Sequence, residues 1–212
     1  MYLIHSTKNL NFKNLIYYPE IKIKKNTFSF IIGESGCGKS TYLKLLNGTN
    51  VSSGGNILFN GKNIKNIEIL NHRKKVLLLP QEIFLFNGSI KENFDYYYSF
   101  IEKKNLSENE IKKFLEICCI ELPISTNCSN LSGGEKQRVF ISIFISFKPN
   151  ILLLDEPNSS LDENISIKLF KNLKQFFKEN NITSICICHN NKLVDMFSDN
   201  TIRLEKKYEQ YN

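Results

Sequence analysis

Short apolar runs bounded by turn residues recur along the chain and predict buried β-strands. The runs are rich in β-branched and aromatic residues and occupy residues 27–32, 76–79, 151–154 and 183–188. A run that is apolar on both faces is typical of a parallel sheet with helices on both sides. Residues 56–61 predict a hairpin strand with its turn, and residues 22–24 are expected to pair near it. The pattern predicts a mainly parallel α/β core with an N-terminal antiparallel β subdomain.

Helices are predicted directly after three turn residues, Gly38, Ser132 and Asp162. They cover residues 39–46, 133–146 and 164–179. Ser132 and Asp162 are of the residue types that cap helix N-termini, and an acidic residue lies near the first turn of the helix that follows each of these two.

Residues 82–130 differ from the rest of the chain. They are rich in Lys, Glu and Asn and contain no convincing strand, while residues 107–117 have the apolar spacing of a helix. We interpret the segment as a helical subdomain inserted into one domain of residues 1–212. The α/β core then comprises residues 1–81 and 131–212.

Composition narrows the class of protein without identifying it. The 212 residues are 42% hydrophobic and 23% charged, which is ordinary for a soluble domain. No apolar run reaches the roughly 20 residues that span a bilayer. Residues 1–5 lack the basic and apolar segments of a secretion signal. We therefore expect a cytosolic protein.

The six cysteines are expected to be reduced thiols, because nothing in the sequence indicates secretion. Residues 186–189 read Cys-Ile-Cys-His and raise the alternative of a zinc site. No second ligand pair has the spacing of a structural zinc site, and small buried thiols are common in apolar strands. The buried-thiol interpretation is favoured.

Residues 33–40 read GESGCGKS and match the phosphate-loop pattern G-x-x-x-x-G-K-[ST]. The match lies between a predicted strand and a predicted helix, which is the context that confirms this pattern. Its backbone N–H groups and the helix N-terminus favour an anion. Lys39 is expected to reach the β- and γ-phosphates, and Ser40 to offer a hydroxyl to Mg²⁺. The predicted nucleotide-binding residues are Gly33, Glu34, Ser35, Gly36, Cys37, Gly38, Lys39, Ser40 and Thr41.

A second motif, ILLLDE at residues 151–156, places two carboxylates at the end of a buried strand. Phosphate-loop enzymes need an acid associated with Mg²⁺ at such a position. Asp155 is the candidate metal ligand, directly or through water. Glu156 is then free to polarise the attacking water as the general base.

A third motif, LSGGEKQR at residues 131–138, begins a predicted helix just before the acidic strand. Ser132, Gly133 and Gly134 are expected to expose N–H groups at the helix start. Such a start is a second anion site.

With these motifs together, the chain resembles the ATP-binding cassette (ABC) family, the nucleotide-binding subunits of ABC transporters. Residues 131–137 match the family's signature motif. Gln81 matches its Q-loop glutamine, residues 159–162 match its D-loop, and His189 matches its switch histidine. The motifs stand in the family's order, and the resemblance covers nearly the whole chain.

The resemblance implies a P-loop nucleotide hydrolase that uses ATP and Mg²⁺. Two cassettes, identical or different, would dimerise head to tail, with the signature of one chain against the ATP bound by the other. Gln81 would contact Mg²⁺ and the attacking water, and His189 would contact the γ-phosphate. Asp162 of the D-loop joins the cofactor-binding set. The catalytic residues implied are Lys39, Gln81, Glu156 and His189, and the metal ligands Ser40, Gln81 and Asp155.

The resemblance also implies a membrane partner. The cassette would dock on a separate permease through residues 82–130 and the Q-loop, at the cytoplasmic face of the membrane. Residues 81–93 are similar to the same region of ABC exporters, including peptide and bacteriocin exporters, and predict export of a peptide or similar substrate.

Two rival functions remain open. A net charge of +7 and a pI near 9.0 would suit a soluble ABC protein that acts on nucleic acid or ribosomes. The lysines are scattered, however, and the DNA-repair and translational relatives carry a longer insertion or two cassettes, so no nucleic acid is expected. A regulator without turnover is disfavoured because Glu156 and His189 are both present.

Several positions depart from the family pattern or are assigned by spacing alone. Asn190 stands where the family often has Asp, Asn158 where Thr is usual, and Asn26 where a glycine normally precedes the strand. Phe12 is the predicted adenine-stacking aromatic, and Tyr17 and Tyr18 are alternatives. His5 and His72 have no catalytic context and are predicted at the surface.

Overall fold

The computed structural model describes residues 2–205; Met1 and residues 206–212 of the predicted domain lie outside the described residues. A five-stranded sheet forms the centre, in the order β11-β5-β10-β9-β8, with every neighbouring pair parallel. Its strands are β5 (Phe28–Ile32), β8 (Val76–Leu79), β9 (Ile151–Asp155), β10 (Thr183–Ile187) and β11 (Asn200–Arg203). Four of them confirm the predicted strands to within one residue at each end. The strand β11 was not predicted.

A second sheet is antiparallel, in the order β4-β1-β6-β7. It comprises β1 (Tyr2–Ser6), β4 (Ile21–Lys24), β6 (Ile57–Phe59) and β7 (Lys62–Asn63). The predicted hairpin is present as β6 and β7. The strand β1 lies between β4 and β6, so residues 22–24 share the sheet of the hairpin without pairing with it. A separate small hairpin consists of β2 (Asn11–Phe12) and β3 (Ile16–Tyr17).

Seven α-helices are described within residues 2–205. Those predicted are α1 (Lys39–Asn47), α5 (Gly133–Ser146) and α6 (Glu163–Glu179), together with α4 (Glu108–Ile117) of the insertion. The remaining ones are α2 (Ile69–Lys75), α3 (Ile90–Phe100) and α7 (Asn191–Phe197). Helices α3 and α4 and a 3₁₀ turn, Cys128–Asn130, account for the regular structure between residues 82 and 130. The division of the domain at 81/82 and 130/131 stays a prediction.

Both faces of the central sheet are covered by packed side chains. Leu152 and Leu154 face a core that includes the buried residues of α3 to α7. Ile151 and Leu153 face a second core with α1 and the antiparallel sheet. Successive residues of a strand point to opposite faces, so a strand between two cores is apolar at every position. This arrangement explains the continuous apolar runs of the sequence.

The prediction that His72 lies at the surface is wrong. His72 in α2 is only 1% exposed, its Nε2 lies 2.8 Å from the carbonyl oxygen of Leu46, and its ring meets Phe59 edge-on. The last carbonyl groups of a helix lack partners within the helix. His72 supplies one at the end of α1, which is why it is buried. His5 is partly exposed, with Nε2 2.7 Å from a carboxylate oxygen of Glu20.

The cysteines are free thiols, and five of the six are buried, including Cys186 and Cys188. Burial raises the pKa of both of these thiols. Within residues 2–205, no helix combines the length and the hydropathy that crossing a membrane requires.

Candidate functional site

The phosphate loop joins the end of β5 to the start of α1. Gly38 is the N-cap of α1, has φ +93° and provides no side-chain cap. The first N–H groups of the helix therefore lack a side-chain acceptor and are suited to an anion. A Cβ at Gly38 would lie 2.7 Å from Cγ2 of Ile16 and 2.9 Å from the hydroxyl of Tyr18. Both the backbone angle and this close approach require glycine.

Lys39 holds its positive charge inside the loop. Its Nζ donates to the carbonyl oxygens of Gly33 at 2.9 Å and Glu34 at 2.8 Å, and the residue is only 6% exposed. Carbonyl oxygens solvate the ammonium, and phosphate oxygens are the stronger acceptors for it. The side chain is therefore poised to bind a phosphate.

Ser40 and Asp155 form the candidate magnesium site. The hydroxyl of Ser40 donates to Oδ1 of Asp155 at 3.0 Å, which links the first turn of α1 to the end of β9. Asp155 is 5% exposed, and this burial raises the pKa of its carboxyl although the Ser40 hydrogen bond lowers it. A hydroxyl and a carboxylate are hard oxygen donors, which Mg²⁺ prefers.

No cluster of three or more His, Cys, Asp or Glu side chains that could hold a metal ion occurs among the described residues. Magnesium in a nucleotide site needs only one or two carboxylates together with phosphate oxygens and water. Ser40 and Asp155 fit that requirement.

Glu156 lies at the centre of a network that three neighbouring strands bring together. Its Oε2 accepts from Nε2 of Gln81 at 3.0 Å, and its Oε1 lies 2.9 Å from Nε2 of His189. Gln81 follows β8, Glu156 follows β9 and His189 follows β10, which are adjacent in the sheet. The carboxyl ends of parallel strands meet at one edge, where α/β proteins bind their ligands. Two of the predicted catalytic side chains, Gln81 and His189, thus contact the carboxylate of a third, Glu156.

An open cleft of about 510 Å³ connects the phosphate loop to this network. It is lined by Ile16, Ser35, Gly36, Gly38, Lys39, Ser40, Thr41, Gln81, Glu156 and His189. Ile16 was not among the predicted residues. It lines the cleft because β3 passes over Gly38, a tertiary contact for which the sequence has no local signal.

The structure does not bring every predicted nucleotide-binding residue to this cleft. Cys37 is buried in the core beneath the loop. Phe12 does not line the cleft and packs partly against the core, while its hairpin partner Ile16 lines it instead. Tyr18 is buried against Tyr42 and donates to the carbonyl oxygen of Gly38, so its face is not free for a base. Phe12 and Tyr17 remain predictions for the adenine contact.

The signature residues lie elsewhere and are exposed at Ser132 and Gly133 and partly exposed at Gly134. Ser132, Gly133 and Gly134 are not among the residues that line the cleft, and neither is Asp162. Ser132 caps α5 in a capping box: its Oγ accepts from the N–H of Glu135, whose Oε2 accepts from the N–H of Ser132 at 2.9 Å. The hydrogen bonds from Ser132 lower the pKa of the Glu135 carboxyl. Asp162 caps α6 by accepting from the N–H of Ile165.

The departures from the family pattern have local explanations. Asn26 has φ +57°, a conformation that Asn tolerates better than most residues, so it can occupy the position of a glycine. Asn190 caps α7 by accepting from the N–H of Leu193. Asn158 lies 3.7 Å from the thiol of Cys188. His189 keeps its contact with Glu156 even though Asn190 follows it.

Comparison with known proteins identifies the family of the chain. A family model described as "ABC transporter" matches residues 19–159. The phosphate import ATP-binding protein PstB of Borreliella afzelii is 34% identical over 94% of this chain and 82% of its own length. The structure of cbiO1 from Clostridium perfringens, part of the ABC transporter complex cbiONQ, has a TM-score of 0.83 at 27% identity, over 97% of this chain and 85% of that one. A bacterial Atm1-family ABC exporter with ATP bound has a TM-score of 0.85 at 25% identity, over 98% of this chain and 38% of that one.

Proposed function

Since this chain belongs to the ABC transporter family as an ATP-binding subunit and is an ATPase, we propose that Glu156 is the base that activates water for ATP hydrolysis. The observation that carries the proposal is the pair of contacts from Gln81 and His189 to the two carboxylate oxygens of Glu156. They hold the carboxylate at the edge of the cleft that the phosphate loop also lines.

In this proposal the roles of the other residues follow from their positions. Lys39 and the N–H groups of the phosphate loop bind the phosphates, and Ser40 and Asp155 hold Mg²⁺. The bound ion supplies charge stabilisation for the transferred phosphoryl group. His189 contacts the γ-phosphate, and Gln81 positions the water together with Glu156. Phosphoryl transfer depends mainly on such positioning and charge stabilisation.

Substitution of Glu156 by Gln tests the assignment. The variant keeps the size of the side chain and its capacity to hydrogen bond, but an amide is not a base. We expect ATP affinity to stay within about threefold and turnover to fall by about 100-fold or more. Glu179→Gln, on an exposed carboxylate at the end of α6, is the matched control. Full turnover in Glu156→Gln would refute the role of Glu156.

We also propose that the working unit is a head-to-tail dimer, of identical or different cassettes. In support, the signature residues Ser132 and Gly133 are exposed, Gly134 is partly exposed, and all three lie outside the cleft of their own chain. A second chain can place its signature over the ATP held by the first. An isolated monomer would then bind ATP and hydrolyse it poorly.

ABC transporter ATP-binding subunits act with membrane permeases, and we propose an aromatic patch as the docking surface of this one. Phe84, Tyr96 and Phe100 are exposed, and they surround Phe86 with ring centroids 4.9 to 5.8 Å away. Exposed aromatic clusters are typical of protein–protein contacts. The patch follows Gln81 along the chain, so a permease bound there can influence Gln81 and Glu156. The subunit would therefore reside at the cytoplasmic face of a membrane, without nucleic acid as a partner.

The docking surface is tested by the double variant Phe84→Ala/Phe100→Ala, assayed for co-purification of the chain with its permease from solubilised membranes. We expect recovery of the complex to fall by about tenfold, since loss of two aromatic anchors removes more than 1.4 kcal/mol of binding. Leu70→Ala, an exposed apolar residue of α2, is the control. Unchanged recovery would exclude the patch as the contact.

The direction of transport stays a prediction. Residues 81–93 favour export of a peptide or similar substrate, and the Atm1-family structure is that of an exporter. The PstB relative, by contrast, is named for phosphate import. ATP-driven uptake into inside-out vesicles that contain the complex would support export, and ATP-driven loss of substrate from them would support import.

A further inference from the structure

Gln137 is a buried polar residue that the sequence motifs leave without a role. It lies in the second turn of α5, five residues after the signature Ser132, and is only 2% exposed. A buried amide must find hydrogen-bond partners within the protein, and a fully bonded amide fixes the groups around it.

The partners of Gln137 are all in the segment that follows β9. Its Nε2 donates to the carbonyl oxygen of Glu156 at 3.2 Å and to Oγ of Ser159 at 3.3 Å. Its Oε1 accepts from the N–H of Ser160 at 3.0 Å. One side chain of the signature helix therefore holds both the backbone of the candidate base and the first two residues of the D-loop.

The backbone of Glu156 needs such support. Glu156 has φ +51°, a left-handed conformation that is unfavourable for a residue with a Cβ. Its carbonyl oxygen also accepts from the N–H of Ser159 at 3.2 Å, which closes a turn directly after β9. The turn directs the Glu156 side chain toward Gln81 and His189. Fixing the carbonyl group fixes the direction of the side chain on the same residue.

The start of α5 is packed against the same segment. A Cβ at Gly134 would lie 3.0 Å from the carbonyl oxygen of Ser160 and 3.2 Å from Cδ2 of Leu161. The signature therefore approaches the D-loop closely at Gly134 as well as through Gln137. A shift of α5 along or across its axis must move this segment or break these contacts.

We propose that Gln137 is a positioning residue that couples the signature helix to Glu156 of its own chain. The proposal rests on the function proposed for Glu156 and extends it. When the signature at the N-terminus of α5 contacts a nucleotide on a second chain, the position of α5 sets the turn that orients Glu156. Hydrolysis at one site thereby depends on whether the same chain's signature is engaged at the other.

The test compares Gln137→Met and Gln137→Glu in the purified full chain, with Gln175→Met on the exposed face of α6 as control. Methionine matches the length of the side chain and removes all three hydrogen bonds. Glutamate keeps an acceptor for the Ser160 N–H and, when assayed at a pH high enough to ionise a buried carboxyl, loses the donor to the Glu156 carbonyl oxygen. For each variant, kcat and KM for ATP, the equilibrium Kd for ATP and Tm are measured.

We expect both variants to lower kcat by about tenfold or more, because small misplacements of catalytic groups cost that much. KM and Kd should stay within about threefold of wild type, and Tm should fall by no more than about 4 °C. Gln175→Met should match wild type. Gln137→Glu retains most of the packing and one hydrogen bond, so it reports on the Glu156 contact even if Gln137→Met folds poorly.

Wild-type kcat in Gln137→Glu would overturn the proposal, since the bond to the Glu156 carbonyl would then be dispensable. A parallel rise in KM and Kd would also overturn it, because Gln137 would then act on nucleotide binding. The variant Glu156→Gln distinguishes failure of the proposed base from failure of the proposed coupling. Full turnover in Glu156→Gln would refute the role of Glu156 as the base. Lost turnover in Glu156→Gln together with wild-type turnover in Gln137→Glu would refute only the coupling through Gln137.

Discussion

The helices α1 and α5 both begin at glycine-containing turns that the sequence presents as anion sites, but they begin differently. The start of α1 has a left-handed glycine as N-cap and no side-chain cap. The start of α5 has a complete capping box between Ser132 and Glu135. The first turn leaves its N–H groups for a ligand, and Lys39 lies inside it. The second already satisfies part of its own hydrogen bonding and is exposed.

This difference indicates that the two helix starts have different roles. The phosphate loop can bind an anion within one chain, because its donors and its cation face a cleft that the same chain builds. The signature faces outward and offers the N–H groups of Gly133 and Gly134 in a preformed helix start. It is suited to complete a site on another chain. In the dimer that we propose, the phosphate loop therefore binds nucleotide within its own chain, and the signature contacts nucleotide on the other chain.

The largest effect is expected from breaking the phosphate loop. Lys39→Ala removes the cation that the loop holds at 2.8 to 2.9 Å from two carbonyl groups. We expect turnover to fall by about 100-fold or more and ATP affinity by about tenfold, since charge-assisted bonds to phosphate are among the strongest. Equilibrium titration with ATP and steady-state assays measure both quantities.

The control for this variant is Lys171→Ala, an exposed lysine of α6, which should behave as wild type. Normal ATP affinity and turnover in Lys39→Ala would contradict the assignment of the phosphate loop.

A smaller effect is expected from removing the cap of the signature helix, and the chain contains a matched control. Ser107 caps α4 with the same capping box, formed with Glu110. We expect Ser132→Ala and Ser107→Ala each to lower the free energy of unfolding by about 1 kcal/mol. Only Ser132→Ala should also lower turnover, by about fivefold to tenfold, since only α5 begins at the signature. Denaturant unfolding and ATPase assays distinguish the two effects.

Equal turnover in the two serine variants would mean that the capping box at Ser132 is structural only. A loss of turnover in Ser132→Ala alone would show that the start of α5 has a function that the start of α4 lacks, because both variants lose stability and only one loses turnover.

Much of this architecture could be predicted from the sequence because its strongest signals are local. The strands β5, β8, β9 and β10 are apolar on both faces, and their runs mark them to within a residue. The edge strand β11 has mainly exposed side chains and no apolar pattern, so nothing in its sequence marks it as a strand. The short strand β1 is recognisable only from its pairing with β4 and β6.

The proximity of the three candidate residues Gln81, Glu156 and His189 could be predicted for a related reason. Gln81, Glu156 and His189 follow three strands that are adjacent in the sheet, and the motifs fix their positions along the chain. Contacts made across the fold were not predictable. Ile16 reaches the cleft from a hairpin, and His72 is buried because the end of α1 needs a partner. Gln137 appeared only as part of the signature, and its partners became evident from the structure.

The most direct test of the account asks whether a phosphate loop and a signature from different chains make one site. The variant Gly133→Asp places a carboxylate where a side chain meets nothing in its own chain, so it should fold normally and repel a nucleotide on a second chain. Lys39→Ala and Gly133→Asp chains are each expected to be inactive alone. In a mixed dimer, the intact phosphate loop of one faces the intact signature of the other.

The measurement is the ATPase rate of an equimolar mixture of the two variants. In a homodimer, random pairing gives half mixed dimers, each with one intact site of two, so the account predicts recovery of at most about a quarter of the wild-type rate. The intact site belongs to the chain whose signature is altered, so the roughly tenfold loss expected without coupling through Gln137 would lower the recovery to about a fortieth. If the phosphate loop and the signature acted within one chain, no intact site would form. A mixture as inactive as its separate components would contradict the account.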